Sequence, residues 1–320
     1  MNLSLIIPVY NEQDTLPHLF DALYGTMNTL GQTWEVILVD DGSRDDSLSV
    51  LKAYAQKDTQ HVRVVSFRRN FGQTAAIAAG LDYATGETII LLDADLQNDP
   101  ADIPLLLAKL DEGYDLVSGW RKFRKDNAIT RNLPSMIANW LISRVTGVHL
   151  HDYGCTLKAY RRDVLEGFRL YGEMHRFIPV FANSVGAKIT EMPVRHHARK
   201  FGKTKYGLER TIKVVLDLFT VKFLVSYSSK PIYLFGGTGV ILMILSAVIL
   251  FYLLIRRVFF LVSVLSSPFF QMSAMFFILG FQSMLMGLIA ELLVRTYHES
   301  QRKTTYTVRA TFNLEQETRD

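Results

Sequence analysis

Short apolar segments alternate with segments of helical character over the first 120 residues, and this alternation constrains the fold more than any other feature. Strands that alternate with helices form a parallel sheet with right-handed crossovers. We therefore predict an α/β domain with strands at 3–9, 35–40, 62–67, 88–93 and 115–119 and helices at 14–29, 45–57, 72–84 and 101–112. The alternation loosens after residue 120, where we predict helices at 135–146 and 175–186 and a strand at 187–194.

Three of the predicted strands end in polar residues, at positions 8–12, 40–43 and 93–97. In a parallel sheet the carboxyl ends of the strands meet at one edge, where ligands bind. Asp93 and Asp95 are two residues apart, so on an extended chain both carboxylates lie on one face. Such oxygen ligands suit Mg²⁺ or Mn²⁺ shared with substrate phosphates. An acidic surface turn is the alternative for this segment taken alone.

Two long uncharged segments, residues 232–255 and 258–290, lie near the C-terminus. Each can supply the roughly 20 apolar residues of a membrane-spanning helix, and a buried core hairpin is the alternative. Before them, residues 207–229 place apolar side chains among basic ones at helical spacing. This pattern is typical of an amphipathic helix at the membrane interface, or of a helix packed on the first domain.

The distribution of basic residues predicts how the two spans are oriented. Positive residues flank both outer ends of the pair, which places those ends in the cytoplasm. Arg256 and Arg257, between the two segments, argue for the opposite orientation and are outnumbered. We predict a multi-pass protein of the inner (plasma) membrane with a cytoplasmic first domain, on the basis of Lys222, Lys230, Arg295, Arg302, Lys303 and Arg309.

Charge and cysteine content narrow the function classes. The net charge is +4, and the basic residues concentrate in the second half of the chain. The basic segment 195–205 contains only one aromatic residue, Phe201, so it lacks the stacking platforms of a nucleic-acid groove and suits phosphates or a membrane surface better. The only cysteine, Cys155, rules out a disulfide within the chain and favours a reducing compartment.

Four motifs in this order resemble those of family 2 glycosyltransferases: residues 8–12 (PVYNE), 40–43 (DDGS), 93–97 (DADLQ) and 199–205 (RKFGKTK). Within that family, the chain is similar to the polyprenyl-phosphate glycosyltransferases over nearly its whole length. The resemblance implies a GT-A (Rossmann-like) catalytic domain and two C-terminal transmembrane helices. It also implies inverting transfer of one sugar from a nucleotide-sugar donor to a polyprenyl (undecaprenyl) phosphate, for lipopolysaccharide or other cell-envelope glycans.

The resemblance also implies roles for individual residues. Pro8, Tyr10, Glu12, Asp41, Asp93 and Ala94 would bind the nucleotide, with Asp41 on the base or ribose. Asp93, Asp95 and Gln97 would hold Mg²⁺ or Mn²⁺, and Arg199 and Lys205 would bind phosphate. Asp95 and Asp152 would be catalytic. For Asp152 the role of general base competes with orientation of a sugar hydroxyl and with capping of a turn, because a phosphate acceptor is already largely ionised at neutral pH.

Several alternatives stay open. Residues 152–161 and 177–179 are most similar to members that transfer 4-deoxy-4-formamido-arabinose, so UDP-4-deoxy-4-formamido-L-arabinose is one expected donor. A glucosyl or mannosyl donor, a processive polysaccharide synthase and a non-catalytic membrane scaffold are the others. The spans make self-association into a homo-oligomer a further expectation. The predicted divisions are a catalytic domain (1–206), a juxtamembrane amphipathic helix (207–230), two transmembrane helices (231–297) and a cytoplasmic tail (298–320).

Overall fold

A computed structural model describes residues 1–122, 133–165, 170, 174–198, 218, 221, 232–260, 263–265, 267–300 and 308–313. The chain divides into two compact units, one of residues 1–221 with 304–320 and one of residues 222–303. The predicted amphipathic helix at 207–230 lies outside the described residues, apart from Leu218 and Val221, which are buried.

The first unit is built on an eight-stranded sheet. Its strands are β1 (Leu3–Val9), β2 (Trp34–Asp40), β3 (Val62–Phe67), β4 (Thr88–Leu91), β5 (Leu116–Trp120), β6 (Lys158–Arg161), β7 (Ile189–Pro193) and β8 (Val308–Phe312). Its helices are α1 (Leu16–Met27), α2 (Ser47–Lys57), α3 (Gln73–Tyr83), α4 (Ile103–Asp111), α5 (Leu133–Thr146) and α6 (Ile178–Ser184). The predicted α/β class and the alternation of elements are confirmed, with element ends shifted by a few residues.

The strand order is β7-β5-β6-β4-β1-β2-β3-β8. β4, β1, β2 and β3 are parallel to one another, as predicted, and their side chains are almost all buried because helices cover the sheet. β6 runs antiparallel to both β4 and β5. The start of β6 therefore lies at the same edge of the sheet as the carboxyl ends of β4 and β5.

The sequence patterns did not predict β6 or β8. β8 comes after the apolar helices and pairs antiparallel with the edge strand β3, with Val64 opposite Phe312. The Asn313 side chain donates hydrogen bonds to the carbonyl oxygens of Ala55 and Val62, at 2.7 and 2.9 Å. Arg63 donates to the Asn313 carbonyl at 2.6 Å. These contacts fix the tail to the sheet and cover an edge that would otherwise present unpaired backbone groups.

Glu35 joins β2 to β1 and to the loop before β4. Its carboxylate is 1% exposed and accepts hydrogen bonds from Ser4 Oγ, from the Thr85 amide and hydroxyl, and from Arg63 Nε. Burial alone would raise the pKa of Glu35, but these donors outweigh it and hold the pKa below its ordinary value. A buried carboxylate with this many donors stabilises the fold only while it is ionised.

We expect Glu35→Gln to destabilise the protein by about 1–3 kcal/mol at neutral pH, because a carboxamide cannot accept from all of these donors. A lowered pKa stabilises above the ordinary glutamate pKa, and this contribution is lost as pH falls through the lower folded-state value. The difference in melting temperature between wild type and Glu35→Gln should therefore shrink as pH falls below about 4.3. Glu87→Gln, at an exposed position, is the control, and an equal loss there would contradict the prediction.

The second unit contains two long helices, α7 (Ile232–Phe260) and α8 (Pro268–Ser300). The segments Tyr233–Phe260 and Pro268–Ala290 are long and apolar enough to cross a membrane, with mean hydropathies of 2.7 and 1.8 and only 17% of each best window buried. Large apolar side chains such as Phe251 and Phe277 point outwards. A soluble core hairpin would instead bury them, so the exposed apolar surface favours a lipid environment.

Small and hydroxyl residues hold α7 against α8. Ser246 and Ser273 are buried and exchange hydrogen bonds, with 2.9 Å between their hydroxyl oxygens. A Cβ atom on Gly239 would lie 2.7 Å from the Gly280 carbonyl oxygen, and one on Gly280 would lie 2.8 Å from the Gly239 carbonyl oxygen. Such close approach of two backbones, with hydroxyl pairs beside it, is how helices associate in lipid.

Gly239→Ala should therefore lower the melting temperature of the detergent-solubilised protein, since the added methyl group forces the helices apart at a cost of about 1–3 kcal/mol. Gly237→Ala is a matched control two residues away, where a Cβ would meet nothing within 4 Å. The control should be neutral or stabilising, because alanine has the higher helix propensity. Equal effects at both positions would show that the close contact does not matter.

Candidate active site

The predicted polar strand ends do come together at the carboxyl edge of the sheet. The segment after β1 is joined to the segment after β2 by hydrogen bonds from the Asn11 amide to Ser43 Oγ, at 3.0 Å, and from the Glu12 amide to Ser47 Oγ, at 2.8 Å. Asn11 adopts a left-handed backbone with φ 55°, and its side chain accepts from the Arg44 amide at 2.8 Å. Pro8 and Tyr10 flank this junction and are both partly exposed.

Asp41 holds the turn that leads into α3. Its carboxylate accepts from the backbone amides of Phe71 and Gly72, at 2.7 and 2.9 Å, and from Asn70 Nδ2 at 2.9 Å. Burial raises the pKa of Asp41 to about 6 although the two amides lower it. Gly42 next to it must be glycine, because φ is +68° and a Cβ would lie 2.5 Å from the Arg69 carbonyl carbon. Asp41 is thus built into the edge of the site through this turn.

Asp93 and Asp95 follow β4, as predicted. Gln73 Nε2 donates to one oxygen of Asp93 at 2.8 Å, and Thr156 Oγ donates to the other at 2.7 Å. The Gln97 amide donates to Asp95 at 3.1 Å. The turn from Asp95 to Gln97 is strained, since Leu96 has the left-handed φ of 56° that favours glycine. This turn therefore fixes the two carboxylates relative to the strand.

The electrostatics of this pair fit a divalent cation. Burial, and then the negative charge of Asp95, raise the pKa of Asp93 to about 6. A bound Mg²⁺ or Mn²⁺ would relieve that repulsion, and Gln97 adds a carboxamide oxygen donor. Among the described residues no group of three or more His, Cys, Asp or Glu side chains forms a metal cluster. A site with few protein ligands suits an ion whose other positions are taken by phosphates and water.

The antiparallel strand β6 adds a second group of residues to this edge. Asp152 and Thr156 lie just before β6 and so stand beside the ends of β4 and β5. Asp152 is 3% exposed. Arg121 donates hydrogen bonds to both of its carboxylate oxygens, from Nε at 2.7 Å and from Nη2 at 2.9 Å. The Gly154 amide donates to it as well, at 3.1 Å. Both oxygens of Asp152 are therefore engaged.

Arg121 is a site residue that sequence reasoning missed. Burial opposes its charge, but Asp152 outweighs burial and raises the pKa of the guanidinium further, so it stays protonated. Arg121 and Lys158 also act against the raised pKa of Asp93. The available signal was its position, one residue after β5 and at the same edge of the sheet as Asp93.

Lys158 is a second basic residue at this edge of the sheet. It is 2% exposed and donates to the carbonyl oxygens of Tyr153, at 3.2 Å, and of Cys155. With His175 and Arg176 it lines a small cavity behind Thr156. His175 hydrogen bonds with Thr74 Oγ at 2.7 Å, and burial lowers the pKa of its imidazole well below the ordinary value, so it is neutral. Lys158 and Arg176 are the basic residues that line this cavity.

The segment after β7 returns to the Asp93–Gln97 turn. The His197 amide donates to the Gln97 carbonyl at 2.8 Å, and Asn98 pairs with His196. Arg195 is fixed to the buried Asp102 by its amide at 2.7 Å and its Nε at 2.8 Å. The chain therefore reaches residue 198 beside the carboxylate pair. Arg199 and Lys205, the predicted phosphate-binding residues, lie outside the described residues.

A largely parallel sheet with a carboxylate pair beyond its fourth strand has the architecture of a GT-A glycosyltransferase, and solved structures share the fold. Glucosyl-3-phosphoglycerate synthase of Mycobacterium tuberculosis, solved with Mn²⁺, UDP and phosphoglyceric acid, matches with a TM-score of 0.53 and 20% identity, over 69% of this chain and 78% of that one. TarS of S. aureus, solved with UDP-GlcNAc, matches with a TM-score of 0.51 and 21% identity, over 70% and 67%.

Sequence comparison defines the family. The model of glycosyl transferase family 2 matches residues 4–168, and the chain belongs to that family. Dodecaprenyl-phosphate galacturonate synthase of Rhizobium johnstonii is 41% identical, over 98% of this chain and 94% of the relative. Undecaprenyl-phosphate 4-deoxy-4-formamido-L-arabinose transferase of Klebsiella pneumoniae is 40% identical, over 95% and 91%. The sequence-based identification and the enzyme class are thereby confirmed.

The Arg121–Asp152 pair makes a testable distinction between two roles of Asp152. If Asp152 orients Arg121, Asp152→Asn and Arg121→Gln should each lower kcat by roughly 10–100-fold, and the double variant should be little worse than either single one. The pH profile of the remaining activity should keep its shape. A general base would instead give additive losses and remove one limb of the profile, and that result would contradict the positioning role.

Proposed function

We propose that this enzyme transfers a single sugar from a nucleotide-sugar donor to a polyprenyl phosphate at the membrane surface, with a divalent cation and inversion at the anomeric carbon. The paired carboxylates of Asp93 and Asp95, beside the buried Lys158 and the partly buried Arg121 at one sheet edge, carry the proposal. The names of the similar proteins support the acceptor class. The two apolar helices support a location at which such a lipid is available.

The donor would bind along the carboxyl edge of β1, β2 and β4. Pro8, Tyr10 and Glu12 would contact the nucleotide, and Asp41 would shape its pocket through the turn at Phe71 and Gly72. Ala94 is buried between the two carboxylates, and its backbone would lie close to the diphosphate. Asp93, Asp95 and Gln97 would hold Mg²⁺ or Mn²⁺, which supplies charge stabilisation for the departing nucleoside diphosphate.

The chemistry of a phosphate acceptor favours Arg121, rather than Asp152, as the residue that acts on it directly. A phosphate monoester has a second pKa near 6, so the attacking oxygen is largely ionised at neutral pH and needs little help from a base. Asp152, with both oxygens bonded to Arg121, is better suited to holding that guanidinium towards an anion. Arg199 and Lys205 are proposed as further phosphate contacts at the continuation of the segment that ends beside Gln97.

The path of the chain supports the proposed topology. β8 follows α8 in the sequence but belongs to the same sheet as β1–β7, so both ends of the two-helix unit connect to the first unit. If α7 and α8 each cross the bilayer once, the domain and the tail lie on one side. We propose that this side is the cytoplasmic side of the inner membrane. We also propose the domain divisions given under Sequence analysis, and self-association of the chain into a homo-oligomer.

We propose a short panel of candidate donor sugars. UDP-4-deoxy-4-formamido-L-arabinose and a galacturonate donor follow from the names of the similar proteins. Glucose and mannose donors represent the wider group. The experiment incubates the purified protein with Mg²⁺ or Mn²⁺, undecaprenyl phosphate and each radiolabelled donor, and then measures label that partitions into organic solvent.

We expect one donor to give organic-extractable product, and EDTA or Asp95→Ala to reduce it by at least about 100-fold. Asp111→Ala removes an exposed carboxylate of α4 and is the matched control, which should retain activity. Label found only in insoluble polymer would indicate a processive synthase instead. No product from any donor, with a folded protein, would favour a non-catalytic scaffold.

A further inference from the structure

The small cavity behind Thr156 lies between α3 and the strands β4 and β6. Ile77 and Leu91 give it two apolar walls, and its polar wall includes Lys158 and Tyr160. Among the described residues that line it, none is acidic. The volume open to the centre of a water-sized ligand is about 10 Å³. The cavity therefore has room for one ligand of about that size.

Two hydrogen-bond donors of this cavity are not fully used. Tyr160 is completely buried, and its hydroxyl has no hydrogen-bond partner within the described part of the chain. Lys158 Nζ donates to the carbonyl oxygens of Tyr153 and Cys155, which leaves one N–H of the ammonium group over. A buried donor without an acceptor costs free energy. The cavity therefore favours a ligand that accepts hydrogen bonds.

The charge of Lys158 points to the same kind of ligand. Its two carbonyl partners carry no net charge, and the nearby Asp152 already binds Arg121 with both oxygens. Burial lowers the pKa of the Lys158 ammonium. Burial, and then the charges of Arg176 and Lys158, also hold the imidazole of His175 neutral. A buried ammonium is stabilised by a counter-ion, and no lining residue described in the structure supplies one.

Size and charge select among the possible ligands. Phosphate and sulfate are too large for a space that holds one water-sized centre. Water fits and would accept from both donors, but it would leave the ammonium without a counter-charge. A halide ion is of similar size, accepts several hydrogen bonds at once and carries the missing negative charge.

We propose that this cavity binds one monovalent anion of halide size, chloride in the cell, through Lys158 Nζ and the Tyr160 hydroxyl. The anion stabilises the ammonium and, with it, the two bonds from Lys158 to backbone carbonyl groups. Those bonds fix residues 153–155, which lie between Asp152 and Thr156 of the candidate active site. The anion is thus a structural ligand that supports the site from behind and does not contact the substrates.

The test measures stability and binding, so its outcome is independent of the proposed sugar transfer. The full-length protein in detergent is exchanged into chloride-free buffer with gluconate, an anion too large for the cavity. Chloride or bromide then replaces gluconate at constant ionic strength while the melting temperature is measured. We expect the melting temperature to rise by about 3–6 °C for each tenfold increase in either halide above its dissociation constant.

Tyr160→Phe removes only the hydroxyl group. In gluconate this variant should be at least as stable as wild type, because a buried donor without a partner is lost. It should need roughly tenfold more chloride for the same rise, since one hydrogen bond to the anion is missing. Tyr153→Phe is the matched control. Tyr153 lines the same cavity, but its hydroxyl donates to the Val148 carbonyl at 2.6 Å. That variant should lose stability equally in gluconate and in chloride.

Crystals grown in bromide would locate the ion directly, and we expect an anomalous peak in contact with Lys158 Nζ and the Tyr160 hydroxyl. Equal melting temperatures of the wild type in gluconate, chloride and bromide would show that the cavity holds water, and would overturn the proposal. An unchanged chloride dependence in Tyr160→Phe, or bromide peaks only at the protein surface, would place the bound halide elsewhere and would equally overturn it.

Discussion

The site depends on the direction of one short strand. β6 runs against both β4 and β5, so the chain that precedes it arrives at the edge where the parallel strands end. Had β6 been parallel to β4, Asp152 and Thr156 would lie at the opposite edge, about four residues of strand away. The reversal therefore brings Thr156 to Asp93 and Asp152 to Arg121, and it turns an acidic strand end into a site with both signs of charge.

That balance of charge also explains how buried groups are tolerated here. Asp93 is destabilised by burial and by Asp95, whereas Arg121 and Lys158 stabilise its ionised form. Arg121 is compensated in turn by Asp152, and Lys158 by two backbone carbonyl groups. Charges arranged in this way are ordered before any ligand arrives, so the diphosphate and cation proposed above would require little reorganisation of the site to bind.

Local sequence patterns were enough to predict the parallel strands. They were also enough to predict the positions of Asp93, Asp95 and Asp41 at strand ends, since each of these residues lies where a buried apolar segment stops. They also sufficed for the two apolar helices, whose length and lack of charge are local properties. They failed for Arg121 and for β8. The role of Arg121 depends on Asp152, which lies 31 residues away and is positioned by the reversal of β6. β8 is a mixed polar segment whose pairing with β3 joins residues about 245 positions apart, as Val64 and Phe312 illustrate, and no local periodicity records such a partner.

The pairing of β8 with β3 has a consequence for biogenesis. The edge strand of the catalytic sheet is supplied by residues 308–312, which are synthesised only after both apolar helices. During translation the sheet therefore lacks its last strand until both helices have left the ribosome. Closure of the β3 edge by Asn313 and its neighbours follows synthesis of the two apolar helices. A chain cut off after α8 would therefore keep every described side chain of the candidate site yet expose an open sheet edge to aggregation.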